Sequence, residues 1–281
     1  MMFLYICLNL KFYFTMIKQI IAFLLLFIGL STKMSAQFDG FSHEIGVIAG
    51  PVAFQSDYGE RYDFSTNAGN TGIGIGLVHY LNFRFDSDFN YTSRSYFNDH
   101  FKVRTELSYI TSKLNHFGEY VAPTKTSPDA QQLRAMSGST SITNLGTQFE
   151  FFPLSIRDYS AVEGSFAPFV SLGAQLSYYS ARASSTLGAL GTPATTFPKY
   201  LTPSDGRPFG FSNENATVWS IVSSVGTRYK LNESADLMVD LKFQYYFSNW
   251  VDGLNPNPDI YKENKANDWL VWLNFGYIYY L

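Results

Sequence analysis

The stretch that most constrains the fold is the last one, Asp268 to Leu281. Read at period two, Trp269, Val271, Leu273, Phe275, Tyr277, Tyr279 and Leu281 share one face, and Leu270, Trp272, Asn274, Gly276, Ile278 and Tyr280 the other. Alternation this strict is the signature of a strand, whose successive side chains point to opposite faces. A soluble sheet would rarely carry so long an unbroken apolar face. The lipid-facing wall of a transmembrane barrel carries one on every strand, flanked by aromatic girdles. At about 3.3 Å per residue and a tilt near 45°, this stretch climbs roughly 30 Å, the thickness of a bilayer core. Phe275, Tyr277, Tyr279 and Leu281 also have the alternate spacing of the terminal insertion signal of outer-membrane barrels, although Leu281 stands where that signal usually has a ring.

Composition agrees with this reading. Only 15% of the 281 residues are charged and 18% are aromatic, with 20 Tyr and 26 Phe, against about a quarter charged in an average soluble domain. The net charge of -3 lacks the basic excess that nucleic-acid binding needs, so no nucleic-acid partner is expected. Cys7 is the single cysteine, which excludes a disulfide framework. From Met16 the chain reads MIKQIIAFLLLFIGLSTKMSAQ, with Lys18, an apolar run from Ile20 to Leu30, and small residues up to Ala36. That is a secretory signal peptide, too short to span a membrane as a helix, with cleavage near Ala36. Residues 1–15 read as an over-extended start, residues 16–36 as the signal peptide and residues 37–281 as the barrel domain.

Seven further segments alternate in the same way. They are expected at Phe41 to Phe54, Thr71 to Leu81, His100 to Leu114, Ile142 to Phe152, Phe166 to Ala181, Ala216 to Leu231 and Ala235 to Phe247. The fold class is therefore all-β, a transmembrane antiparallel up-and-down barrel of eight strands. The longer polar connections, near 55–70, 115–140, 182–215 and 248–267, belong outside the cell, and the shorter turns in the periplasm. The stretch 82–99 is long for a periplasmic turn. Gly72, Gly74 and Gly76 form GxGxG with no third glycine in place and no helix pattern after it, so they are expected to allow close packing inside a small barrel rather than to hold a phosphate.

The faces opposite the apolar ones carry Glu44, Lys102, Arg104, Glu106, Glu150, Arg228, Asp240 and Lys242. Four acids against four bases in an interior only wide enough for its own side chains predict a paired network that closes the lumen, since unpaired buried charge costs several kcal/mol. Sites for chemistry are scarce. His43, His79, His100 and His116 show no HxxxH spacing, and His79 reads as a girdle residue. No GxSxG elbow marks a nucleophile. Asp252, Asp259 and Glu263 are expected to be solvated loop carboxylates rather than cation ligands. No cofactor and no metal is expected.

The stretches FKVRTELSY (Phe101 to Tyr109), QFEFFP (Gln148 to Pro153), FAPFVSLG (Phe166 to Gly173) and GTRYKLNESADLMVDLKFQYYFSNWVDGL (Gly226 to Leu254) resemble the PorG-like outer-membrane barrels of Bacteroidota, associated with type IX secretion and gliding. Asn249, Trp250, Val251, Asp252 and Gly253 look like that family's aromatic and aspartate motif at a loop base. The long insertions at 82–99 and 182–215 depart from the family pattern. The resemblance implies a non-enzymatic membrane anchor for periplasmic secretion-machine proteins, embedded in outer-membrane lipid. The competing expectation is a surface binding protein or adhesin that uses the loops 115–140 and 182–215. A small-barrel lipid enzyme has no residue to nominate, and a soluble sandwich would expose an apolar face on nearly every strand.

Overall fold

The computed structural model describes residues 41–59, 69–83, 95–264 and 266–281. The signal peptide, its cleavage near Ala36 and the over-extended start lie outside the described residues, as do most of the turn at 82–99 and part of the connection at 55–70. Eight antiparallel strands close in sequence order: β1 (Ser42–Gln55), β2 (Thr71–Asn82), β3 (Phe101–Asn115), β4 (Met136–Phe151), β5 (Phe166–Ser185), β6 (Asn215–Asn232), β7 (Ala235–Tyr246) and β8 (Trp269–Tyr280). The seam is an antiparallel ladder from Glu44 opposite Tyr280 to Gln55 opposite Trp269, interrupted at Gly50 and Pro51. The fold is a closed barrel of the outer-membrane type.

Alternation along each strand sorts side chains as a membrane wall requires. Ile75, Leu77, Leu145, Leu172, Trp219, Leu241 and Phe275 point outward and stay exposed, Leu77 at 59%, whereas Glu44, Arg104, Gln148 and Arg228 are fully shut inside. An apolar exterior of this extent around a polar interior is stable only in lipid. At the end carrying the short turns, Phe83, Phe97, Phe101, Phe149 and Phe151 form a chain of ring contacts 4.9 to 5.9 Å apart, one girdle of the wall.

Two strand limits differ from expectation for one physical reason. β4 begins at Met136 rather than Ile142, and β5 runs to Ser185 rather than Ala181. The extra residues pair fully, Ser137 with Asn115 and with Ser184, yet fall largely within the polar connections expected at 115–140 and 182–215. Above the apolar band the outer face leaves the hydrocarbon, so the hydrophobic alternation stops while the hydrogen-bond ladder continues. The connections also hold short helices: α1 (Tyr96–His100), α2 (Pro128–Ala135) and α3 (Ile156–Ser160). α2 starts where Ser127 caps the amide of Ala130 and Pro128 takes the first turn, a combination that suits a helix start.

The glycines of β2 do the packing work expected of them. A Cβ at Gly74 would lie 2.6 Å from ring atoms of Trp272, and Trp272 is among the largest fully buried side chains. Gly74→Val should therefore abolish the compact, heat-modifiable form on gels of unboiled protein. Adding Trp272→Leu should restore it, and a normal heat shift in Gly74→Val alone would disprove the packing role.

Candidate functional site: the charged lumen and its cap

The lumen is layered. Nearest the turn end, Glu44 accepts from Lys102 Nζ and Arg228 Nη1, both at 2.5 Å. Arg228 lies 4.0 Å over the Tyr80 ring and reaches Glu150 at 3.4 Å. One layer up, Arg104 donates to Asp240 at 2.7 Å and to Glu106 at 2.8 Å, and Lys242 donates to Glu106 at 2.5 Å while standing 4.5 Å over Trp272. Glu150 joins the layers, 3.7 Å from Arg104. All eight charged residues singled out from the sequence thus stand in one connected cluster. Two pairs cross the barrel, Arg228 on β6 to Glu44 on β1 and Arg104 on β3 to Asp240 on β7.

The sequence reading left out two members. Asp236 lies 3.7 Å from both Arg228 and Lys230 and accepts from the Tyr280 hydroxyl at 2.6 Å. Lys230 sits 3.9 Å over the Tyr280 ring. Both share the inward parity of Arg228 and Asp240, and that parity is the signal that would have found them. Above the charges, Gln244 donates to Asn144, Ser177 and Ser220 at 2.8 to 3.2 Å. Over this amide layer lie Leu270, Tyr246, Ile110 and Phe54, all buried.

The mouth is closed by the connection between β7 and β8. Thr140 donates to the Val251 carbonyl at 2.7 Å, and Asp268 accepts from the amides of Val251 and Asp252. Gly253 adopts φ +88, a left-handed value that favours glycine, and its carbonyl accepts from Ser212 at 2.8 Å. Trp250 donates through Nε1 to Asp205 at 3.0 Å, with the Arg207 guanidinium 4.0 Å over its ring. The stretch Asn249 to Gly253 is therefore the stopper of the barrel mouth. Asp252 is not the solvated carboxylate expected. It is fully buried, and accepts from the amides of Asp57 and Leu254, both at 2.7 Å, because the cap folds back over it. Asp259 and Glu263 are exposed, Glu263 3.0 Å from Lys199. Among the described residues no three His, Cys, Asp or Glu side chains are placed to hold a metal.

The histidines have distinct places. His79 lies on the outer wall at the turn end, its Nε2 3.0 Å from His43 Nδ1, a pairing that only the strand register reveals. His100 lies 2.6 Å from the Phe152 carbonyl and closes α1. His116 lies just above β3 against Tyr58 and Tyr200, with ring centroids 4.7 and 6.2 Å away. Burial, with a smaller push from the Lys199 ammonium, drives the His116 imidazole down to about 3. Phe275, Tyr277, Tyr279 and Leu281 all face outward and are exposed, with the Leu281 amide donating to the His43 carbonyl at 3.0 Å.

No family model matches the sequence, and no curated protein matches it. Among solved structures, the chain is similar to Ail, the attachment invasion locus protein of Yersinia pestis, in complex with the heparin analogue sucrose octasulfate, at 13% identity and TM-score 0.37, covering 87% of this chain and 100% of that one. It is similar to a major outer membrane protein from Thermus thermophilus at 14% identity and TM-score 0.44, covering 85% and 99%. OprG from Pseudomonas aeruginosa shows 13% identity and TM-score 0.38, covering 85% and 97%. Likenesses this distant concern the fold at most and say nothing of function.

Two outcomes follow from this geometry. Glu106→Gln leaves Arg104 and Lys242 short of a shared anion and should cost roughly 3 to 5 kcal/mol of stability, read from urea unfolding in lipid vesicles; pairing it with Lys242→Met should recover part of the loss. His116 is held neutral in the closed cap, so its contribution is complete above about pH 6.5 and is lost as pH falls toward 3. At pH 5 the cap should be weaker by about 2 kcal/mol. Hydrogen exchange of the segments around Tyr58 and Tyr200, corrected for intrinsic rate, should rise at pH 5 in the native protein and stay flat in His116→Phe.

Proposed function

We propose that this protein is an integral outer-membrane barrel with a structural or interaction role, that it catalyses no reaction, and that its lumen conducts nothing. The observation that carries this reading is the pair of ion contacts across the barrel, Arg228 to Glu44 and Arg104 to Asp240, beneath a mouth stoppered at Val251. An interior filled in this way offers neither a path nor room for a substrate, so the surfaces that remain for a soluble partner are the two ends. At the turn end, α1 and α3 are joined by Arg157 and Asp99 at 3.6 Å, and Tyr96, Leu154 and Val162 are exposed. A small ordered platform with apolar tips suits an anchor for a periplasmic protein. Together with the resemblance to PorG-like barrels, it favours an accessory role in type IX secretion.

A second reading, surface binding, is favoured by the loop end. There the connections between β5 and β6 and between β7 and β8 enclose a polar cleft of about 650 Å³, lined by Asn249, Asn255, Asn257, Asp259, Asn264 and Asp205. Photo-crosslinkers at Val162 and at Asp259 in cells separate the two. Capture of a secretion-ring protein from Val162 but not Asp259 supports the anchor. Capture only from Asp259, lost when residues 186–196 are trimmed, supports surface binding. Unitary conductance of the purified protein in planar bilayers would overturn the closed-lumen premise of both.

A further inference from the structure

The outer wall of β3, β4 and β5 changes character in four successive rows toward the loop end. Leu107, Leu145 and Leu176 form one row, and Tyr109, Thr143 and Tyr178 the next. Thr111, Ser141 and Ser180 follow, and then Lys113, Ser139 and Arg182. All three residues of the last row are exposed. Neighbouring strands lie about 4.8 Å apart, which sets the two cations roughly 10 Å apart at Cα on either side of a hydroxyl.

Among the described residues neither cation is neutralised: no carboxylate lies within ion-pair reach of Lys113 or Arg182. Arg182 Nη1 donates to the carbonyls of Ala181 and Asn213 and to Asn215 Oδ1, at 2.7 to 3.0 Å, which holds the guanidinium against the wall. The adjacent acid, Glu214, is committed to Arg207 at 3.1 Å. From Tyr109 to Lys113 is about 13 Å along the strand, or roughly 9 Å of height at a 45° tilt. That places the row just above the aromatic girdle, where lipid headgroups begin.

We propose that Lys113, Ser139 and Arg182 bind the phosphate of an anionic lipid in the outer leaflet, with its acyl chain lying down the outer face of β4. A guanidinium fork, an ammonium and a hydroxyl are matched to phosphate oxygens. Below the row, the outer face of β4 presents Ser141, Thr143 and Thr147, with Leu145 the one bulky side chain among them. About 19 Å of height below Ser139, this column runs into a concavity of about 570 Å³ lined by Val103, Thr147, Phe149, Leu172, Ala174 and Ile221. The row has the parity of Tyr109 and Tyr178, so it faces sideways into the lipid. A soluble polyanion would be met on top of the cap instead.

The test uses the full barrel in phosphatidylcholine nanodiscs doped with bisphosphorylated lipid A, with retained lipid counted by native mass spectrometry. The native protein should retain lipid A, and the double variant Lys113→Gln with Arg182→Gln should hold it roughly 30-fold more weakly. Lys113→Arg and the loop control Lys125→Gln should bind as the native protein does. Each single neutral variant should lose roughly fivefold, and these carry the test if the double variant shows no heat-modifiable folded form. Equal retention by native and double variant overturns the proposal. So does equal retention of dephosphorylated lipid A, which would leave acyl contact alone. Displacement of lipid A by millimolar inorganic phosphate, or loss of heparin-oligosaccharide binding with lipid A retention unchanged, would make this a soluble-anion site and overturn it as well.

Discussion

The seam between β1 and β8 is the contact on which the rest depends. Inside hydrocarbon an unpaired backbone amide or carbonyl costs several kcal/mol, so a sheet there must have no edge. The ladder from Glu44 opposite Tyr280 to Gln55 opposite Trp269 removes both edges at once. Closing at eight strands then dictates a narrow interior that side chains must fill. Gly74 leaves its space to Trp272, and Arg228 lies over Tyr80, because no room is left for either to stand away from the opposite wall. The closed lumen follows from strand number, and the charges in it follow from what a closed lumen will tolerate.

Charge in that interior is not the cheapest filling. Replacing buried ion pairs with apolar side chains of similar volume is often neutral or stabilising. An apolar interior behind an apolar exterior would, however, leave each strand with two equivalent faces. A register slip of one residue turns every side chain to the other face. With Lys102, Arg104 and Glu106 on one parity of β3 and Val103 and Leu107 on the other, a slip would put three charges into lipid. The network thus specifies register and sidedness even where it adds little stability. The cross-barrel pairs extend this to the whole circuit, since Arg228 meets Glu44 only when β6 and β1 are both in register.

How much of this the amino-acid sequence discloses depends on how local the cause is. Alternation is local, so the eight strands, their inward charges and the packing role of Gly74 are legible in it. The ends of β4 and β5 are not, because a strand that outlasts the hydrocarbon keeps its hydrogen bonds and loses its apolar face. The burial of Asp252 is equally hidden. It arises when the connection after β7 folds into the mouth and offers the amides of Leu254 and, from a distant loop, Asp57. The contact of His43 with His79 depends on a diagonal step across the β1–β2 register. Asp236 sits two residues past a tight turn, where the alternation is only beginning.

The wall that outlasts the membrane also explains why the cap stays closed. β4, β5 and β6 run to 16, 20 and 18 residues, whereas β2, β7 and β8 have 12 each. The barrel is therefore tall on one side and low on the other. The connection after β7 rises from the low side and leans against the tall one. There Thr140 of β4 takes the Val251 carbonyl, and Phe211, leading into β6, forms a bridge with Leu254. A cap held from one low strand pair alone would have little apolar contact and would open readily. Docked on the raised β4–β6 wall, it inherits the rigidity of the ladder. The outer surface of β4 and β5 in that wall carries Ser139 and Arg182, with Lys113 of β3 beside them, so the height that seats the cap also sets this row at the level of the lipid phosphates.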